Sequence, residues 1–176
     1  MTGSPVGVTG PILVALGANL ESERFGSPRQ TLEAALREME RRAIRVVRRS
    51  RWYESAPVPP SDQPWYVNGV VVVETGLGPE ALLAVLHQIE AEFGRVRAER
   101  NAARVLDLDL VAYGDLLRPG PDVPILPHPR ASERAFVLLP LAEVVPGWRH
   151  PATGRSVEAL IAGLPSGQEI RPLDDP

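Results

Sequence analysis

From Leu106 to Leu110 apolar and acidic residues alternate without a break: Leu106-Asp107-Leu108-Asp109-Leu110. Alternation of this kind is the period of a β-strand with one buried face, and it does not suit a helix. Residues i and i+2 of a strand share a face and lie about 6.6 Å apart, at a rise of about 3.3 Å per residue. Asp107 and Asp109 therefore project together, and the three leucines project the other way into a core. Neighbouring carboxylates repel, each raising the pKa of the other. A hard divalent cation removes the conflict. Mg²⁺ suits it, taking one or two carboxylates and completing its octahedron with water and substrate phosphates. Just upstream lie Arg95, Arg97, Arg100 and Arg104. Alternating aspartates also occur on the wet face of an antiparallel sheet, and loop arginines are commonly solvated. Side by side, the two features point to a polyphosphate substrate.

Composition narrows the chemistry. With 176 residues, 44% hydrophobic and 23% charged, the chain can bury the core of one globular domain. A net charge of −3 gives no general attraction to nucleic acid or to an anionic membrane. Cysteine is absent, which excludes disulfides, thiolate metal sites and a cysteine nucleophile, and fits a reducing compartment. No apolar run approaches a membrane span, and the N-terminus lacks a basic region followed by an apolar core. The expectation is a cytoplasmic protein. All 19 basic residues are arginine. That closes the lysine-dependent P-loop and Schiff-base routes, and leaves arginine forks, backbone N–H groups or metal to hold phosphate.

In chain order, residues 1–11 read as a loose tail, 12–165 as one domain, and the polar residues 166–176 as a frayed tail. Ile12 to Leu16 is a buried strand ending at the Gly17-Ala18-Asn19 turn. Ser27-Pro28-Arg29-Gln30 is a helix start, with Ser27 as N-cap, Pro28 in the first turn and Gln30 completing a capping box. Leu32, Ala35, Leu36 and Met39 follow at helical spacing, and Glu33 and Arg37 form an i,i+4 pair on the outer face. Ile44 to Tyr53 is a second, less regular strand. Its Arg45, Arg48, Arg49 and Arg51 read as a charged sheet edge. Four prolines between Ser55 and Pro64 make a stiff loop. Tyr66 to Thr75 is apolar on both faces, as a central strand is, so its Asn68 needs partners. Gly78-Pro79 opens a second helix with Leu82, Leu86, Ile89 and Phe93 inward, and Gly94 closes it. A short helix follows near Ser156 to Ile161. The order β-α-β-β-α-β predicts an α+β, ferredoxin-like antiparallel sheet with helices on one face and C-terminal additions.

Several stretches then gain meaning together. They are Leu16-Gly17-Ala18-Asn19-Leu20, Asp62-Gln63-Pro64-Trp65-Tyr66-Val67-Asn68, Gly94-Arg95-Val96-Arg97 and Arg104-Val105-Leu106-Asp107-Leu108-Asp109. Pro127-His128-Pro129-Arg130 and Arg134-Ala135-Phe136-Val137-Leu138-Leu139-Pro140-Leu141 complete the set. In this order and at these distances they closely resemble the hydroxymethyl-dihydropterin pyrophosphokinase family of folate biosynthesis, over roughly residues 12–162. The resemblance implies transfer of the β,γ-pyrophosphoryl group of ATP to the hydroxymethyl oxygen of a reduced pterin, giving AMP. It implies two Mg²⁺ ions on Asp107 and Asp109, with ATP as co-substrate. It puts Arg95, Arg97, Arg100 and Arg104 in a catalytic loop, Arg95 and Arg104 being the best matches to a phosphate-contacting pair. Tyr66 and Phe136 match aromatics that sandwich the pterin, and Asn68 the amide that reads its edge. Ser55 and Val58 match loop groups completing that pocket. His128 and Arg134 match ATP-side contacts, and Glu90 a helix carboxylate near the nucleotide. Small-molecule substrates and a monomer are expected, with no nucleic acid or membrane partner.

The chain departs from the family pattern in places. Asn101-Ala102-Ala103 stands where the family commonly has Trp-Gly-Pro, Ala98 where a basic residue is frequent, and Ser55-Ala56-Pro57 where Thr-Pro-Pro is typical. None removes a metal ligand or a stacking ring. Two rival readings stay open on sequence alone. One is another two-metal phosphoryl or nucleotidyl transferase on a similar sheet. The other is a non-catalytic ferredoxin-like binding module.

Overall fold

The structure is a computed structural model that describes residues 8–94 and 105–173. Its strands are β1 (Ile12–Ala18), β2 (Arg45–Arg49), β3 (Tyr53–Ser55), β4 (Tyr66–Glu74), β5 (Asp107–Tyr113) and β6 (Ile170–Pro172). The helices are α1 (Pro28–Arg41), α2 (Pro79–Glu92), α3 (Ala135–Val144) and α4 (Val157–Ala162), with a single 3₁₀ turn at Ala131–Glu133. Every strand pairing is antiparallel, in the order β5-β1-β4-β3-β6, and β2 also pairs with β4. Because β2 and β3 meet successive stretches of β4, they act as two halves of one strand. The expected α+β, ferredoxin-like sheet follows.

Period-two patterning sorts the strands onto two cores. Val14 and Leu16 of β1, Val71 and Val73 of β4, and Leu106, Leu108 and Leu110 pack against Leu32, Leu36 and Met39 of α1 and Leu82, Leu86 and Ile89 of α2. Residues in between, Leu13, Ala15, Val70, Val72 and Val111, pack against Val137, Leu138 and Leu141 of α3 and Leu160 of α4. Thus α1 and α2 cover one face, as expected, and the C-terminal additions cover the other. Each fully buried leucine or valine contributes about 1.5–3 kcal/mol relative to exposure.

Local signals act as read at the first helix. Ser27 Oγ accepts from Gln30 N–H at 3.2 Å, and Gln30 Oε1 accepts from Ser27 N–H at 2.8 Å, a complete capping box. Glu33 does not serve the expected partner Arg37; its carboxylate accepts from Arg49 and from Trp52 Nε1 at 2.8 Å. The Arg49 guanidinium is the main cause that holds Glu33 below the usual carboxylate range. Three of the four arginines of the second strand face acids. Arg45 pairs with Glu74, Arg49 with Glu33 and Arg51 with Glu143. A charged sheet edge is therefore the right reading of that segment.

Two features depart from expectation. The second strand is interrupted at Ser50, whose N–H donates to Val70 O and whose Oγ accepts from Val70 N–H, both at 3.0 Å. The side chain replaces ladder bonds while Trp52 turns inward over Gly69. The polar stretch after Ser166 is not frayed as far as Leu173. Ile170–Pro172 pairs with β3, and Ala56 N–H donates to Glu169 O at 3.0 Å. Backbone pairing, which polar composition does not reveal, holds this segment on the sheet.

Candidate active site

The ladder registers place the functional residues in rows. Gly17 of β1 faces Asp107 on one side and Asn68 on the other, and Asn68 in turn faces Tyr53. One row away, Ala15 lies between Asp109 and Val70. Partners directly opposite share a face, so Asp107, Asp109 and Asn68 belong to the α3 side of the sheet. Gly17 and Ala15 between them are small and leave the floor open. A Cβ on Gly17 would come within 3.2 Å of Asn68 Oδ1. That is tighter than ordinary contact, so the glycine makes room for the amide.

Over this floor lies a cavity of about 710 Å³, within the usual range for small-molecule sites. Asp107, Asp109, Asn68, Tyr66, Phe136 and Arg134 line it. Ser55 and Val58 line it from the proline-rich loop. Leu106, Leu108 and Leu110 are buried beneath, as the alternation demands. Asn68 is itself buried, and its Nδ2 donates to Ser55 Oγ at 2.6 Å. An amide has two N–H groups and one oxygen. That bond fixes the plane of the group at the cavity wall. The Arg134 guanidinium lies 5.4 Å from the centroid of the Phe136 ring, a cation–π distance.

The proline-rich loop is tied down at its far end. Buried Asn19, just after β1, donates from Nδ2 to Gln63 Oε1 and to Pro64 O, both at 3.1 Å. Tyr66 Oη also donates to Gln63 Oε1, at the long distance of 3.5 Å. The turn that closes β1 thus anchors the loop beside the Tyr66 ring.

Comparison with known proteins bears on what such a cavity holds. The profile of the family "7,8-dihydro-6-hydroxymethylpterin-pyrophosphokinase (HPPK)" matches residues 13–146. The chain is similar to the 2-amino-4-hydroxy-6-hydroxymethyldihydropteridine pyrophosphokinase of Pseudomonas aeruginosa, at 43% identity over 88% of this chain and 91% of that one. The protein of the same name from Synechocystis is 41% identical over 85% of this chain and 73% of its own. The chain belongs to the hydroxymethylpterin pyrophosphokinase family. Wild-type Plasmodium falciparum HPPK-DHPS superposes with a TM-score of 0.65 over 90% of this chain and 45% of that chain. At 14% identity this likeness speaks for the fold alone.

Within this family member, the residues expected at the site fall into three groups. Asp107, Asp109, Ser55, Val58, Tyr66, Asn68, Arg134 and Phe136 come together around the one cavity. Arg95, Arg97, Arg100 and Arg104, with Asn101-Ala102-Ala103, lie outside the described residues. Glu90 and His128 do not line this cavity. Glu90 is buried at the end of α2, where its Oε2 accepts from Leu108 N–H at 2.7 Å. It braces the strand between the two aspartates from behind. His128 lines a second cavity of about 490 Å³. Its pKa is pushed down to about 4, chiefly by burial and then by the Arg134 charge, with Asp107 opposing. Its Nδ1 accepts from Arg130 N–H at 3.2 Å, so the neutral ring carries its proton on Nε2.

Arg130, Glu133 and Gln168 also line the first cavity, and sequence reasoning did not assign them. Arg130 ends a stretch that carries the family resemblance. For Gln168 the signal is indirect: α3 begins after Arg134, whose side chain cannot accept a bond from the helix N-terminus, so a side-chain cap had to come from elsewhere.

Proposed function

We propose that this pyrophosphokinase of folate biosynthesis transfers the pyrophosphoryl group of ATP to the hydroxymethyl oxygen of 6-hydroxymethyl-7,8-dihydropterin. The oxygen bonds to the β-phosphorus and gives up its proton to solvent, the bond from that phosphorus to the α,β-bridging oxygen breaks, and AMP leaves. One observation carries the reading: the aspartate pair, the edge-reading amide and two aromatic rings line a single cavity on one face of the sheet.

A flat heterocycle gains from aromatic faces, which Tyr66 and Phe136 offer, and from an amide on its edge, which Asn68 offers. The hydrogen bond from Asn68 to Ser55 orients that amide before substrate arrives. Asp107 and Asp109 form a hard-oxygen donor pair of the kind Mg²⁺ takes. Among the described residues there is no group of three or more acidic, His or Cys ligands, so further ligands would come from water and phosphate oxygens. The described charges lining the cavity are three carboxylates and two guanidiniums, Asp107, Asp109 and Glu133 against Arg130 and Arg134. That balance does not by itself favour a polyphosphate, which supports a need for divalent cations. Bound to the aspartates, two Mg²⁺ ions would neutralise polyphosphate charge and polarise the reacting oxygen. Arg134, with Arg95, Arg97, Arg100 and Arg104 from the preceding loop, would offset charge developing toward AMP. Glu90 and His128 act from outside the cavity, the first by bracing β5. The proline-rich loop shields the site from water, which would otherwise compete as acceptor.

A single domain, a monomer and a cytoplasmic location complete the reading. Large apolar side chains left exposed among the described residues are Val58, Trp65, Leu117 and Val123, scattered over two loops. None of the described helices is long and apolar enough to cross a membrane.

The test is to mix protein, ATP, Mg²⁺ and hydroxymethyl-dihydropterin and to separate the nucleotides. AMP that forms only when pterin and metal are both present is the expected result. ADP as product would replace the reading with ordinary phosphoryl transfer. Binding of ATP without turnover, and without dependence on Mg²⁺ or Asp107, would make the chain a binding module.

A further inference from the structure

Helix α3 carries Phe136 in its first turn and starts immediately after Arg134, so its N-terminus sets the angle of two cavity-lining groups. A helix start leaves N–H groups without internal partners, and a side-chain oxygen at the N-cap normally accepts one. Here the N-cap is Arg134, whose side chain has no acceptor and makes no capping bond. The cap arrives from far along the chain. Gln168 Oε1 accepts from Ala135 N–H at 2.9 Å. The other end of the same amide, Nε2, donates to Glu133 O at 2.9 Å. The two bonds fall on the residues directly before and after Arg134, across the joint between the 3₁₀ turn and α3.

The segment around Gln168 is anchored at the opposite wall. Glu169 O accepts from Ala56 N–H, and Ile170 pairs with Ser55, the residue that orients Asn68. Arg171 forms an ion pair with Glu54 and lies 5.2 Å over the Trp65 ring. Leu173 N–H donates to Trp52 O at 2.9 Å. Pro165 to Gln168 themselves line the cavity. One short stretch therefore spans from the wall of Ser55 and Asn68 to the wall of Arg134 and Phe136. It lies beyond the residues matched by the family profile, which end at 146.

We infer that Pro165–Leu173 is a structural strap of the substrate pocket and that Gln168 is a positioning residue. Both ends of its side-chain amide hold backbone on either side of Arg134, so it acts by fixing Arg134 and Phe136 at the cavity wall. This deepens the proposed function and rests on it.

The test uses Gln168→Met, which keeps length and loses both bonds, and Gln168→Glu, which keeps the acceptor for Ala135 N–H and loses the donor to Glu133 O. Steady-state AMP formation is measured with the pterin and ATP varied in turn, alongside circular dichroism and melting. Loss of two hydrogen bonds predicts KM for the pterin raised about tenfold in Gln168→Met, with kcat changed by less than about threefold. Gln168→Glu should recover part of that loss. A merely structural role would lower the melting temperature and leave KM, measured well below melting, where it was. An unchanged KM in folded Gln168→Met overturns the inference, and so does Gln168→Glu behaving as wild type if the Met variant does not fold. Absence of AMP formation by the wild-type chain would instead overturn the proposed function.

Discussion

Substituting His128 by Asn should change how stability depends on pH, and the structure gives the sign and size. Burial is the main reason the His128 pKa falls from 6.5 to about 4, with Arg134 next and Arg130 adding. Folding therefore favours the neutral ring. In the unfolded chain the ring takes up a proton near pH 6.5, and in the folded protein only near 4. The stability that this group contributes is fully present above pH 6.5, is lost as pH falls, and is gone below about 4. Between those limits the slope is at most about 1.36 kcal/mol per pH unit, or about 3 kcal/mol in total. The ring is partly exposed, so solvent screening trims that to about 2 kcal/mol. His128→Asn cannot titrate, and its side-chain oxygen can still accept from Arg130 N–H. Urea unfolding of both proteins at about pH 7.5 and about pH 5 isolates the term, because other groups, the buried His150 included, are common to both. The wild type should lose about 1–2 kcal/mol more than the variant over that interval. Parallel losses, within about 0.3 kcal/mol, would refute the burial argument and allow an imidazolium beside the site near pH 6. Under the proposed function, a nucleotide at His128 would meet a neutral Nε2–H donor.

Two further substitutions test the site and the sheet. Asp109→Ala should lower kcat by about 10³-fold or more while leaving the circular dichroism spectrum and melting temperature near wild type; full activity would remove the aspartate pair from the mechanism. Gly69→Ala puts a Cβ within 2.6 Å of the Trp52 ring, whose indole is held by Glu33 on one side and covered by Arg49 on the other. Overpacking of this kind should cost about 1–3 kcal/mol, seen as a fall of roughly 3–10 °C in melting temperature, and an unchanged melting curve would mean that the ring moves freely.

What the sequence revealed was what local chemistry encodes. Ser27 and Gln30 announced their helix because a capping box is complete within four residues. The Asp107-Leu108-Asp109 alternation announced a strand with one wet face, since a period of two leaves each residue only one of two sides. The break at Ser50 was hidden, because a serine that replaces ladder bonds looks like any other strand serine until Trp52 and Gly69 are brought together. β6 was hidden for a related reason: an edge strand of three residues is held by backbone pairing and by Arg171, and its composition is that of a tail. Glu90 was legible as a carboxylate on a helix. Its partner, the N–H of Leu108, follows only from how α2 lies against β5.

The site is also economical in which faces it uses. One core, on the α1 and α2 side, is built by the leucines of β5 and needs nothing from the substrate. The opposite face packs against α3 and α4 over most of its length, and opens into the cavity at the small residues Gly17 and Ala15 near the end of the sheet. A recess at that position, with carboxylates on β5, an amide on β4 and Phe136 on α3, needs α3 held at a fixed angle. Arg134 cannot cap its own helix, so the angle has to be fixed by another part of the chain. Gln168 supplies that bond, and β6 anchors Gln168 to the strand that also carries Ser55. The expected polar tail thus touches both sides of the cavity, through β3 at one wall and through the start of α3 at the other.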